Sequence, residues 1–261
     1  VKKPFSSIFQ RITQKVKGGL KEMLKENKFK EAMNNALESA KAGMIQNVRK
    51  FFEEALNIAD EIEDTRKRSY FLSRIAGKMA KVGMFEEAVR AAEKIDDARI
   101  RSMFLKNIAI DMVKQRKLEE ALKLKDKIEP KSWRSEVLSK IVRGLAKEGK
   151  FQEALKVAEE IEFAGIYSWA MGIIVKEMAK MRKFEEALGV AEKIKYEWYR
   201  SDALREIALE MAKDGNFKDA LRVVDNIEYP KLRLELRSDI KEKMKEAGIS
   251  EKDIIDKDED K

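Results

Sequence analysis

The stretch MFEEAVRAAEKI, beginning at Met84, returns every 33 residues as KLEEALKLKDKI, KFQEALKVAEEI, KFEEALGVAEKI and NFKDALRVVDNI. A chain that repeats itself at such a period folds each repeat as one supersecondary unit, and neighbouring copies bury one another's apolar faces. Aligned on the period, Ile62, Ile95, Ile128, Ile161, Ile194 and Ile227 form one column, and Ala55, Ala88, Ala121, Ala154, Ala187 and Ala220 another. The second follows closely on Phe52, Phe85, Leu118, Phe151, Phe184 and Phe217. A third column holds Ile75, Ile108, Ile141, Ile174, Ile207 and Ile240.

Within one unit Leu72, Ile75, Ala76 and Met79 precede Phe85, Ala88, Val89, Ala92 and Ile95. Both sets advance by three and four, which makes an apolar stripe on a helix. Gly83 stands between them, as Gly149 and Gly215 do later, able to supply a left-handed turn. Each unit is therefore expected to be two antiparallel helices, A over about 66–82 and B over about 84–95. The small Ala column permits close helix approach, while the Phe and Ile columns fill the space between layers. The expected fold class is all-α: a right-handed α-solenoid of stacked antiparallel helix hairpins, elongated and without a sheet.

Full units are expected at about 66–95, 99–128, 132–161, 165–194 and 198–227. The chain then divides into irregular N-terminal helices and a basic cap (1–64), five repeats (65–230), a C-terminal capping helix (231–247) and an acidic tail (248–261), all in one continuous solenoid. In the last helix Lys241 and Lys245 replace Ala76 and Ala80 of the first full unit, as suits a face left in water. Near the N-terminus Phe29 and Phe52 lie only 23 residues apart, so helices near 28–42 and 44–62 are expected to pair directly.

Gly-x-Phe-Glu-Glu-Ala at Gly83–Ala88, with Leu72, Ala76 and Met79 ahead of it, resembles the tetratricopeptide repeat, and the likeness spans about 30–247. The chain departs from that family in its 33-residue period, against a usual ~34. The closing Pro occurs only at Pro130 and Pro230, and the family's large residue in mid-helix B is here Ala92, Lys125, Ala158, Ala191 and Val224. The resemblance implies that the A helices line a concave groove holding a peptide. Its carboxylate clamp of Lys and Asn one turn apart is not matched: Lys106 and Ile110 stand at one such pair of positions, Arg205 and Leu209 at another. The LEEAL stretch at 118–122 is similar to pentatricopeptide repeats, which read single-stranded RNA one base per unit. Acids at Glu136 and Asp202, in a varied column, oppose that alternative.

Composition narrows the chemistry. The chain has no Cys and no His, so disulfides, thiolate nucleophiles, His-based triads and the usual zinc sites are excluded. No motif joins acid, base and nucleophile, and the expectation is a noncatalytic protein without a cofactor. Abundant Lys and Glu without Cys suits a hot environment. No run of eighteen apolar residues and no secretory-signal pattern is present, and a cytoplasmic location is expected. The net charge of +8 is uneven, with nine Lys/Arg and two Glu in residues 1–30. Residues 251–261 hold six acids and three Lys.

Columns that stay the same serve the stacking; columns that vary are free for a partner. The Lys row (Lys81, Lys114, Lys147, Lys180, Lys213) ends the A helices, and the pairs Glu86-Glu87, Glu119-Glu120 and Glu185-Glu186 begin B helices. Both compensate helix dipoles, each worth ~0.3–1 kcal/mol at an exposed end. Arg68, Arg101, Arg134, Arg200 and Arg233, with Tyr167 in the remaining place, are each preceded eight residues earlier by an acid. A ladder across each B–A turn is expected, Arg101 to Glu93, Arg134 to Asp126, Tyr167 to Glu159.

The varied columns are Tyr70, Met103, Glu136, Trp169, Asp202 and Gly77, Ile110, Arg143, Lys176, Leu209. Large apolar residues sharing an outward face mark contact surfaces, and Trp and Tyr are frequent hot spots. The candidate partner-binding residues are Tyr70, Met103, Ile110, Trp169 and Leu209, flanked by Lys114, Arg143, Lys147, Lys176 and Lys180. They suit a protein or peptide with apolar anchors and acidic residues.

Phe5, Ile8, Phe9, Ile12 and Val16 space out a basic amphipathic helix, of the kind that lies on an anionic membrane or caps a first repeat; capping is the expectation. The tail from Asp256 echoes the start of a calcium loop, but Lys261 stands where Gly is required.

Overall fold

A computed structural model describes the backbone of residues 4–250 and the side chains of residues 10–250 other than Ile12. Phe5, Ile8, Phe9 and Ile12 of the N-terminal stripe, and the acidic tail with its calcium-loop echo, therefore fall outside the described side chains. The described residues form thirteen α-helices packed in neighbouring pairs and contain no strand. They divide into two compact units, Val1–Met112 and Val113–Lys261.

In the first unit, α1 (Pro4–Lys41) pairs with α2 (Ile45–Asp60), and α2 with α3 (Thr65–Lys81), which packs on α4 (Phe85–Glu93). α5 (Ala98–Lys114) follows and carries the division between the units. The second unit holds α6 (Leu118–Leu122), α7 (Lys131–Lys147), α8 (Phe151–Glu159), α9 (Ala164–Lys180), α10 (Phe184–Ala191), α11 (Glu197–Lys213), α12 (Phe217–Asp225) and α13 (Pro230–Glu246). Here α9 packs against α7 and α11, and each of α8, α10 and α12 touches both its own A helix and the next one.

The repeat columns are the core. All residues of the two Ile columns and of the Ala column are buried, the Ala column fully. Each A–B turn reverses through a left-handed residue: Gly83, Gly149 and Gly215 at φ 82°, 75° and 78°, and at the same repeat position Arg116 and Arg182 at φ 61° and 60°. The flanking hydrogen bonds, Gly149 N–H to Ala146 and Lys150 N–H to Leu145, satisfy carbonyls the helix end leaves open. An L-residue with a side chain resists this conformation by roughly 1–2 kcal/mol. Gly149→Ala is accordingly expected to lower stability by about 1 kcal/mol and Arg116→Gly to raise it by up to about 1 kcal/mol, measured by urea denaturation.

Three features depart from the sequence expectation. First, the B helix after Leu118 stops at Leu122 and continues as a single 3-10 turn, Lys125–Lys127. Its neighbours carry fully buried Ala92, Ala158, Ala191 and Val224 where this unit has Lys125. The ammonium cannot enter that site; it stays half-exposed and pairs with Glu160, while Leu124 is buried.

Second, the Arg column turns first to backbone rather than to the acids eight residues before it. Arg68, Arg101, Arg134, Arg200 and Arg233 each donate to the backbone carbonyl six residues earlier, that of Ile62, Ile95, Ile128, Ile194 and Ile227, at 2.6–3.4 Å. These carbonyls follow the ends of B helices and lack helical partners. The remaining guanidinium nitrogens reach other acids: Arg68 to Asp96 at 2.6 Å, Arg134 to Glu129 at 2.6 Å, and Arg200 to Glu228. Asp60 is held instead by Lys94 at 2.6 Å. Tyr167 does lie near Glu159: burial, and then that carboxylate, push its hydroxyl above the usual range.

Third, α1 is one helix through Gly18 and Gly19, so the segment expected at 28–42 is only its C-terminal part. Val16 remains exposed rather than covering the first hairpin.

Candidate partner-binding face

The candidate face is set by the A helices, whose core stripes leave the varied columns turned away from the buried Ile and Ala residues. In the second unit Trp169 on α9 is half-buried, and two cations of α7 lie over its ring, Arg143 at 4.7 Å and Lys140 at 5.8 Å from the centroid. One turn separates Lys140 from Arg143, so the pair clamps the indole in place. In the first unit Tyr70 occupies the same column as Trp169 and is 56% exposed, with Arg74 5.7 Å from its ring. Met103 is exposed, and Ile110 is half-buried on the same helix, α5.

Leu209 is half-buried on α11. Beside it in the sequence, Glu206 accepts an ion pair from Lys176 of α9 at 2.6 Å and another from Arg205 at 3.0 Å. Arg205 also binds Asp202 at 2.7 Å. Burial draws the Glu206 carboxyl upward, but the hydrogen bonds and charges of Lys176 and Arg205 together outweigh it and hold the pKa below the usual range. A depressed carboxylate contributes stability that is fully present above its unfolded value, ~4.3, and is lost as pH falls through the lower folded value. The stability difference between wild type and Glu206→Gln is therefore expected to be constant near neutrality and to shrink below about pH 4, measured by urea midpoints across pH.

The flanking lysines are less available than their sequence row suggests. Lys176 is committed to Glu206, Lys180 to Glu177 at 2.8 Å, and Lys213 to Glu210 at 2.7 Å. Lys147 is exposed without an ion-pair partner among the described residues, and Lys114 is exposed. The second unit thus brings Trp169, Arg143 and Lys140 together, and Lys176, on Trp169's own helix, reaches across to Glu206 of α11.

Two features were not read from the sequence. Ser69, Ser102, Ser135, Ser168 and Ser201 form a buried column beside the Arg column, and the hydroxyls of Ser168 and Ser201 have no hydrogen-bond partner among the described residues. Five identical residues at the repeat spacing were the available signal. In the last helix Leu234 takes this position and is 69% exposed. The other feature is an aromatic pair at the starts of α11 and α13, Trp198 edge-on to Tyr229 at 5.6 Å, with Trp198 58% exposed.

No family model and no curated protein matches the chain. Among solved structures it is similar to Ton1535 from Thermococcus onnurineus NA1, at 15% identity over 90% of this chain and 99% of that one, with a TM-score of 0.28. At that TM-score the likeness does not bear on fold or function.

Proposed function

We propose that the chain is a noncatalytic, tetratricopeptide-like scaffold, its hairpins stacked within each unit in the manner of an α-solenoid, that holds a peptide or protein segment against its A helices. The observation that carries this reading is Trp169, a half-buried aromatic off the core stripe, fixed by Arg143 and Lys140. A rigid aromatic held in place before binding loses little entropy when a partner covers it, which suits an anchor. The exposed Tyr70 in the same repeat column supports the same use in the first unit.

Single-stranded RNA is the alternative. Ion pairs already neutralise Lys176, Lys180 and Lys213, which leaves less charge for phosphates than the Lys row promises. Selection of random displayed peptides on the whole chain, with counter-selection on Trp169→Ala, tests the proposal. Enriched peptides should carry a large apolar residue beside acids. Failure to enrich any sequence that distinguishes the two proteins, together with tight binding of polyuridine at physiological salt, would overturn it.

A further inference from the structure

α1 carries two apolar stripes that cannot be buried together. Phe29, Ala32, Met33 and Ala36 form the first and are buried. Val16, Leu20, Met23 and Leu24 form the second and are 54–65% exposed. Because the helix continues without a break from Pro4 to Lys41, the angle between the stripes follows from the helical repeat. At about 100° per residue, Val16 and Phe29 differ by about 220°, and Leu20 and Ala36 by about 160°. The half that packs thus turns the other half's apolar face away from the protein. Docking begins at Glu22, which meets Lys67 at 3.1 Å, and at Lys25, which meets the carbonyl and carboxylate of Glu61.

Charge says what covers the outer stripe. Lys15 and Lys17 stand about 100° to either side of Val16, and Lys21 about 60° from Leu24, so cations border the apolar face on both sides, while Arg11 shares the direction of Phe29 on the far side. Long basic side chains in that position reach out from an apolar contact to an anionic plane. A second copy of the chain would set Lys15, Lys17 and Lys21 against their own like charges. No helix among the described residues is long and apolar enough to cross a membrane, so the contact is with a surface.

We propose that the N-terminal half of α1 is a peripheral anchor that lays Val16, Leu20, Met23 and Leu24 into the face of an anionic lipid bilayer, with Lys15, Lys17 and Lys21 at the headgroups. In sequence the same spacing runs back through Ile12, Phe9, Ile8 and Phe5. The anchor is separate from the A-helix face at Trp169, so either assignment can fail without the other.

Flotation of the full chain with vesicles tests the anchor. Wild type should float with phosphatidylcholine–phosphatidylglycerol vesicles, not with phosphatidylcholine alone, and should release as salt is raised. Leu20→Ser with Leu24→Ser should weaken binding about tenfold or more. Lys15→Gln, Lys17→Gln and Lys21→Gln together should weaken it roughly a hundredfold. All five side chains are exposed, so thermal melting of both variants should match wild type, which separates lost binding from lost folding. No flotation of wild type with phosphatidylglycerol, or unchanged flotation of the apolar variant, overturns the proposal. So does a dimer, seen by sedimentation equilibrium, that the apolar variant dissolves.

Discussion

Ile174→Ala should remove about 2–5 kcal/mol of stability, the largest loss expected from any change considered for this chain. Ile174 is fully buried on α9 and belongs to a column in which every residue is buried isoleucine. Truncation leaves a cavity, and the packed helices around it relax only in part. The opposite error in the same core is also costly. Ala154 is fully buried where α8 lies against its neighbours, and Ala154→Leu should cost ~1–3 kcal/mol through overpacking. Two residues on, exposed Lys156 should accept leucine within about 0.5 kcal/mol. Trp133, Trp169 and Trp198, the chain's three tryptophans, all lie in the second unit, so their fluorescence during urea denaturation reports on that unit. Equal midpoints for Ala154→Leu and Lys156→Leu would show that the Ala column is not a close contact.

Trp169→Ala should weaken a selected peptide by at least ~2 kcal/mol, about thirtyfold, whereas Lys213→Ala should weaken it less than about threefold. The reasoning is structural on both sides. Removing the indole takes away the apolar anchor and releases Arg143 and Lys140 from their places over its ring. Lys213 is already satisfied by Glu210, whose hydrogen bond and charge raise its pKa, so its loss frees an acid more than it deprives a partner. Isothermal titration at two salt concentrations completes the test. An apolar anchor predicts a modest salt effect, while phosphate recognition predicts a steep one with the largest losses at the lysines. Steep salt dependence, with Lys213→Ala the more damaging variant, would move the reading to RNA.

Much of this protein was determined by its sequence alone. The period, the helix pairs, the buried Ile and Ala columns and the turn glycines all follow from spacings of three and four repeated through the chain. Repetition matters because each column is a set of independent solutions to one local problem, so the shared residue states the constraint. Arg116 and Arg182, which stand in the column of Gly83, Gly149 and Gly215, take the same left-handed conformation in the structure. Of the candidate face, the placing of Tyr70 and Trp169 in one varied column was legible in the same way.

The tertiary structure decided what columns of side chains cannot record. The acceptors of the Arg column are backbone carbonyls, present at every position and therefore silent in a sequence. Lys176 meets Glu206 thirty residues away because α9 and α11 pack side by side, so a side chain expected at the partner face also carries an internal ion pair. The continuity of α1 through Gly18 and Gly19 was decided there too. Rotation accumulates along an unbroken helix, so whether two apolar stripes share a face or oppose one another depends on every residue between them. That is why Phe29 is buried while Val16 stands in the open.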